Sequence, residues 1–158
     1  MKLEIRRADR RDLPDVLDAM RRFAELVGFG EYLTVTEAQL SEAVFGDDGF
    51  VEMLVAYDDS TIAGFAVFYR HFSSFRGERG YYLEDIFVEE DYRGRGVGFA
   101  MIKEIARQAR ALGYERIDFQ VLSYNAGAIK FYERLGAVSN MDEVRFKFSG
   151  EAFDRLAE

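Results

Sequence analysis

Three glycines alternate with two arginines and a valine in the segment Arg93-Gly94-Arg95-Gly96-Val97-Gly98. It falls between an apolar β-type run, Tyr81 to Val88, and a helical stripe, so its backbone N–H groups and the helix dipole converge on one point. Such a point binds anions. Glycine lets the chain approach a phosphate closely and take positive φ, and Arg93 and Arg95 add charge that a diphosphate would neutralise. The G-x-G-x-G spacing lacks the third glycine position of a dinucleotide fingerprint, and no Lys-Ser/Thr follows as in a P-loop. The plain alternative is a glycine-rich turn that only starts a helix.

A second feature precedes the loop. Glu84 and Asp85 interrupt an otherwise apolar strand, and carboxylates on a central strand are paired, wet or functional. On an ideal strand they point to opposite faces, whereas a bulge would bring both to one side. The lone histidine, His71, follows an apolar strand end and reads as a satisfied surface or core residue. Glu89-Glu90-Asp91 and Asp47-Asp48 read as solvated loop charges.

The surrounding pattern predicts the elements that position these groups. Leu3 to Ala8 is a first strand, followed by a helix carrying Leu13, Val16, Leu17, Met20 and Phe23, with Asp12 as N-cap and Pro14 in the first turn. A second helix begins after Thr36, which has capping-box spacing to Gln39. Phe50 to Tyr57 and Thr61 to His71 form a hairpin around Asp58-Asp59-Ser60, and Tyr81 to Val88 is a central strand after a loop containing Gly77 and Gly80. Val97, Met101, Ile102, Ile105, Ala106, Ala109 and Leu112 share a helical stripe ended by Gly113. Then come a strand Arg116 to Val121, a helix Ala126 to Leu135 stopped by Gly136, and a last strand Val144 to Ser149. Glu151 to Glu158 fits a short helix, and the order reads β-α-α-β-β-β-α-β-α-β.

The chain has 158 residues, the size of one domain. Its net charge of -8 disfavours a phosphate-backbone footprint, so nucleic acid is not an expected partner. Zero cysteines and one histidine exclude thiolate and multi-histidine metal sites. No signal peptide or membrane-length apolar run is present, which suggests a cytoplasmic protein.

Arg93 to Gly98 resembles the R/Q-x-x-G-x-G/A signature of the GNAT superfamily of N-acetyltransferases. From Tyr82 to Ala137, through YLEDIFVEEDYRGRGVG and YNAGAIKFYERLGA, the chain looks like the diamine (spermidine/spermine) and thialysine N-acetyltransferases, and more loosely so from Ile5 to Tyr69. That resemblance implies an α/β GNAT fold: a twisted mixed sheet whose middle strands, Tyr81 to Val88 and Arg116 to Val121, splay apart, flanked by about four helices. It implies acetyl-coenzyme A as co-substrate, no metal, and a homodimer. Backbone groups of Ile86, Phe87 and Val88 would pair with the pantetheine arm. The amides from Arg93 through Arg95, Val97 and Gly98 to Phe99 would hold the pyrophosphate, and Asn125 and Ala128 would border the arm's far side.

Acetyl transfer needs a neutral amine, and alkylamines have pKa values near that of lysine, about 10.4, so a base must take a proton. Glu84 is the favoured base, with Asp85 beside it as a substrate ligand. Tyr132 occupies the family's place for the acid that protonates the departing thiolate; without that context it reads as a core aromatic beside Ala128, Phe131 and Leu135. A backbone N–H near Phe87 would polarise the carbonyl. The acceptor segment between the first two helices, with Val27 and Glu31, has fewer acids than the polyamine enzymes and two added glycines, so a thialysine or amino-acid-like amine joins polyamines as acceptor. Peptide N-acetylation and a non-catalytic acyl-coenzyme A module are the competing readings.

Overall fold

The computed structural model describes residues 2–139 and 145–158. They divide into two compact units, Met1–Gln120 and Val121–Glu158. The first contains β1 (Leu3–Arg7), α1 (Leu13–Leu26), α2 (Glu37–Phe45), β2 (Val51–Asp58), β3 (Thr61–Ser73), β4 (Glu78–Val88), α3 (Val97–Ala111) and β5 (Arg116–Phe119); the second contains α4 (Ala126–Arg134) and α5 (Glu151–Ala157).

The five strands lie in chain order in one sheet, antiparallel except for the parallel pair β4 and β5. The sheet is mixed, as expected, and five α-helices are described where about four were expected. Alternation along the strands sorts the core by face. Met53, Val55, Phe65 and Val67 pack with Leu13, Val16, Leu17 and Met20 of α1 and Leu40 of α2, while Leu54, Ala66, Phe68, Tyr81 and Leu83 pack with Val97, Met101, Ile105 and Ala109 of α3. Burying each large side chain of this kind contributes about 1.5–3 kcal/mol. Ala106 and Leu112, assigned to the α3 stripe by spacing, are exposed.

Four local expectations change. Asp12 stands at the N-terminus of α1 but makes no capping bond there. Its carboxylate is almost fully buried and takes both guanidinium N–H groups of Arg6, at 2.7 and 2.8 Å, with the Asp9 N–H at 2.7 Å. It therefore ties α1 to β1, and the Arg6 bonds hold its carboxyl below the usual range. Gly80 is not in a loop; it lies in β4 opposite Arg116 of β5. A Cβ there would sit 2.6 Å from the Arg116 carbonyl oxygen, so glycine permits the close approach of the two strands. Strand β5 ends at Phe119 rather than Val121. Of the expected last strand, Val144 lies outside the described residues and 145–149 have no strand structure.

The expected hairpin forms, with its turn shortened to Asp59 and Ser60 because Asp58 belongs to β2. Asp58 pairs with Thr61, and Asp59 takes a φ of 54° to close the turn with Ser60.

Asp12→Ala should leave the Arg6 guanidinium without its main partner and destabilise the protein by about 3 kcal/mol. Thermal denaturation at neutral pH should show Tm lowered by roughly 6–12 °C. Because the Asp12 carboxyl is held low, its stabilisation is present above about pH 4 and disappears as pH falls through the folded-state value, so the difference should close in strong acid.

Candidate functional site

The pairing of strand β4 changes on both edges at one place. Val67 of β3 lies opposite Asp85 and the next residue, Phe68, lies opposite Leu83, so Glu84 is an extra residue in β4. This bulge reverses the alternation: Tyr81 and Leu83 face α3, whereas Phe87 faces α1. Asp85 shares the α1 side with its cross-strand partner Val67. Glu84 is on that side too, since its Oε2 accepts from the Tyr69 hydroxyl at 3.5 Å. The ideal-strand expectation that the two acids point apart is thus replaced by the bulged arrangement.

The two carboxylates have unlike surroundings. Glu84 is exposed and Asp85 half-buried. Burial, with a smaller contribution from the Glu84 charge, pushes the Asp85 carboxyl up to about 6. Such a carboxyl can take and return a proton near neutral pH.

On the other edge, β5 pairs with β4 only from Gly80 to Leu83. From Glu84 to Val88 no strand of the first unit pairs with that edge, because β5 ends at Phe119, opposite Leu83, where the bulge begins. An unpaired strand edge is a template for an extended ligand with amide groups.

Strand β4 leads through the 3-10 turn Glu90–Tyr92 into the glycine loop. Gly94 and Gly96 have φ of 71° and 83°, while Arg95 between them keeps a negative φ. Successive backbone N–H groups in this alternating conformation form an anion-binding concavity. A Cβ on either glycine would meet nothing within 4 Å, so positive φ and not crowding requires glycine here. Gly96 is the N-cap of α3 and supplies no side-chain acceptor, and the first helical bond runs from the Ala100 N–H to the Gly96 carbonyl. The N–H groups of Val97, Gly98 and Phe99 therefore precede the helical ladder. Helix α2, by contrast, is closed by a Thr36–Gln39 capping box.

Side chains brace the loop. Arg93 Nε donates to the Val88 carbonyl at 3.0 Å, and its guanidinium lies 5.7 Å from the centre of the Phe87 ring. Arg95 lies over the Tyr92 ring at 5.8 Å. Val97 is buried in the α3 core and fixes the helix start, whereas Phe99 is exposed.

The C-terminal end of α1 approaches the same end of β4. Phe23 contacts the Phe87 ring at 5.4 Å, and Arg22 bonds Glu89 at 2.7 Å. Val27 follows one turn later, its N–H donating to the Phe23 carbonyl, and Glu31 sits exposed in the 3-10 turn Gly30–Tyr32.

In the second unit, Asn125 caps α4 by accepting the Ala128 N–H at 3.1 Å. Tyr132 lies on α4 against Phe131, with ring centres 5.1 Å apart, and burial pushes its phenol up to about 12. That value keeps the proton on the phenol at neutral pH.

A separate cleft of about 340 Å³ is lined by residues that include Glu4, Arg6, Asp9, Arg11, Asp12 and Asp15. Its arginines are engaged by Asp12 and Asp9, and Asp15 accepts from Tyr57 at 2.9 Å, so it serves to anchor α1. Among the described residues, no group of three or more His, Cys, Asp or Glu is placed to hold a metal, and no helix is long and apolar enough to cross a membrane.

Comparison with known proteins follows this geometry. The profile of the Acetyltransferase (GNAT) family matches residues 17–137. The mouse (Mus musculus) thialysine N-epsilon-acetyltransferase is 32% identical over 164 aligned residues, covering 97% of this chain and 96% of that protein. An L-ornithine N5-acetyltransferase of Arabidopsis thaliana is 41% identical over 99 residues, 63% of this chain and 43% of that protein. Among solved structures, an integron cassette protein from the mobile metagenome of V. cholerae superposes with a TM-score of 0.83 at 26% identity, covering 100% of this chain and 99% of that one. An aminoglycoside acetyltransferase from an uncultured soil metagenomic sample shares the fold, with a TM-score of 0.79 at 19% identity over 95% of this chain and 97% of its own. With its glycine loop at the head of α3, its mixed sheet ending in the parallel pair β4 and β5, and a family match spanning most of its length, this chain belongs to the GNAT acetyltransferase family.

Proposed function

We propose that the protein transfers the acetyl group of acetyl-coenzyme A to a primary amine of a small molecule, either a polyamine or a thialysine-like or other amino-acid-like amine. The observation that carries this reading is the bulge at Glu84, which sets two carboxylates on one face beside a newly unpaired strand edge. The names of the relatives, which act on thialysine and ornithine, point to the same acceptor class.

The residues fit the co-substrate. Ile86 and Val88 offer backbone groups along the open edge to the amides of a pantetheine arm, while Phe87 between them turns its carbonyl toward Gly64 of β3. The segment from Arg93 through Gly94, Arg95, Gly96, Val97 and Gly98 to Phe99 offers N–H groups and positive charge to a pyrophosphate. Asn125 and Ala128 complete the set by resemblance; the Ala128 N–H is already engaged by Asn125, which leaves the Asn125 amide group to donate.

When bound, acetyl-coenzyme A supplies an acetyl thioester. The base role expected of Glu84 passes here to its neighbour: Glu84, exposed, attracts the incoming ammonium, and Asp85, whose carboxyl is pushed up to about 6, takes a proton from the nitrogen. As the nitrogen–carbon bond forms and the carbon–sulfur bond breaks, the Tyr132 phenol gives its proton to the sulfur. The proton held on Asp85 then leaves to solvent, and the second proton, shed by the acylated nitrogen, restores the Tyr132 phenol through solvent, so that of the two protons the ammonium loses one ends on the thiol and one in solvent. In this scheme the proton transfers fall to carboxylates and a phenol, with no call on a metal. By the same resemblance the protein works as a homodimer, and we take residues 1–158 as one acetyltransferase domain acting in the cytoplasm.

Three outcomes test this reading. A panel of polyamines, lysine analogues, aminoglycosides and peptides, with free thiol detection, should show coenzyme A release that depends on a small-molecule amine; release with peptides alone would redirect the assignment to protein acetylation. Tyr132→Phe should lower kcat by about 10²-fold or more while acetyl-coenzyme A still raises Tm as in the wild type. Unchanged turnover would remove the acid role. Asp85→Asn should lower kcat by a similar factor and abolish the acid limb near pH 6 in kcat/KM. It should also be more stable than the wild type at pH 8. A carboxyl raised in the folded state stabilises below about pH 4 and loses that contribution as pH rises through about 6, so the advantage should shrink toward pH 4.

A further inference from the structure

At the end of the sheet away from the glycine loop, β3 and β4 run on as a hairpin beyond their neighbours. Strand β2 begins at Val51, opposite Tyr69, and β5 begins at Arg116, opposite Gly80. Among the described residues, therefore, no strand flanks Arg70 to Ser73 on one side or Glu78 and Arg79 on the other. The hairpin is closed at its tip by the Gly77 N–H, which donates to the Ser73 carbonyl at 2.8 Å, and Gly77 takes a φ of 67°.

We propose that this hairpin is a membrane-docking surface: Phe72 and Phe75 enter the interfacial layer of a bilayer while Arg70, Arg76 and Arg79 bind the phosphates of anionic phospholipid headgroups. The inference goes beyond acetyl transfer and uses no residue of that site.

Three observations carry it. The first is the sorting of side chains. Phe72 lies opposite Arg79, and Arg70, two residues before Phe72, shares its face. All three are exposed, whereas His71, Ser73 and Glu78 on the other face are half-buried. That other face is occupied within the fold, with His71 3.5 Å from Asp118 and Glu78 3.4 Å from Arg116. Phe68, which precedes Arg70 on the same face, is wholly buried, while Phe72 is 58% exposed and Phe75 at the tip fully so. Aromatic residues thus continue past the point where the sheet can cover them.

The second observation is charge. Arg70 to Gly80 carries three arginines and one glutamate, a net charge of +2 against -8 for the whole chain, which leaves -10 on the rest. Among the described residues, no carboxylate lies within salt-bridge distance of Arg76 or Arg79. Arg70 lies 3.6 Å from Glu52, which is also paired with Arg7 and accepts from the Tyr81 hydroxyl at 3.0 Å, and the Arg70 side chain stays 69% exposed. A negatively charged surface attracts this tip and repels the body behind it, so the protein approaches hairpin first.

The third is the match between shape and medium. The hairpin is a projection and not a groove. A polyanion in water would satisfy its arginines and leave the two phenylalanines without an apolar phase, whereas a bilayer surface offers phosphates and hydrocarbon at adjoining depths. Three residues of chain separate Phe72 from Phe75, at most about 10 Å, and apolar groups of interfacial segments penetrate to about 5–10 Å. The long arginine stems let the guanidinium groups stay at headgroup level. Strand β4 then runs from Glu78 to Val88, about 33 Å at the usual rise, so docking leaves the glycine loop and the acid pair turned toward solution.

Co-sedimentation with vesicles tests the proposal, using phosphatidylcholine alone and phosphatidylcholine with about one-third phosphatidylserine, each at low and high salt. The wild type should partition onto the anionic vesicles at least tenfold more strongly, by a rough estimate, and high salt should remove the difference. Phe75→Ser, and separately Arg76→Glu with Arg79→Glu, should each lower partitioning about tenfold. Tm of the unbound protein and its rise with acetyl-coenzyme A should stay those of the wild type in these variants, because the positions are exposed and distant from the acetyl-transfer site; Phe72→Ser provides an independent check should one of them fold poorly. Equal partitioning onto both vesicle types overturns the proposal. So does anionic binding that Phe75→Ser leaves intact, which would mark a basic patch for a soluble polyanion, or a wild-type dimer that Phe75→Ser converts to monomer in sedimentation velocity, which would place the hairpin between two copies. A wild type whose Tm ignores acetyl-coenzyme A would count against the acetyltransferase reading and leave vesicle binding as the sole arbiter of the hairpin.

Discussion

The bulge at Glu84 is the constraint around which the rest is arranged. A strand that kept strict alternation through β4 would send Asp85 and Phe87 to the α3 side with Tyr81 and Leu83. The extra residue moves both to the α1 side, where Phe87 closes the core against Phe23 and Phe65 and Asp85 is drawn partly out of water. Pairing with β5 stops at Leu83, one residue before the bulge. The bulge therefore sets the acid pair at the point where β5 ends and, among the described residues of the first unit, leaves that edge of β4 without a strand.

What holds this arrangement is packing more than charge. Around β4, Phe65 and Phe87 below and Tyr81 and Leu83 above lie in two aromatic-rich layers, and edge contacts such as Phe68 to Tyr81 at 4.8 Å add specificity to the burial. The Arg22–Glu89 bond joins α1 to the strand end but is partly exposed and contributes on the order of 1 kcal/mol or less. The Arg93 contact with the Val88 carbonyl acts differently: it fixes the loop to the strand it follows, so that the glycine concavity and the strand edge keep a constant separation.

Much of this was legible in the residues. The strand and helix order from Leu3 to Arg134 follows from periodicity and turn chemistry, because each element carries a strong local pattern. The loop was legible for a related reason: Gly94 and Gly96 are required by their own φ values and not by distant neighbours. The face of Asp85 was hidden, since β4 is apolar on both sides of the acid pair and the alternation has no visible phase. Its signal, in hindsight, is two consecutive acids between two apolar runs. Tyr69 was missed because its link to Glu84 joins positions 15 apart through strand register. Gly80 was misplaced because its neighbour, Arg116, is distant in sequence. Asp12 looked like a cap because position alone suits one, and only Arg6 on an adjoining strand diverts it.

The account depends on Asp85 being a carboxyl held partly out of water beside Glu84. Titration of the side-chain carboxyl carbons by NMR, with Asp85 assigned through its asparagine variant, measures this without turnover. An Asp85 resonance titrating near pH 6 is the predicted result. Titration near pH 4, the ordinary aspartate range, would contradict the proton-taking role proposed for Asp85.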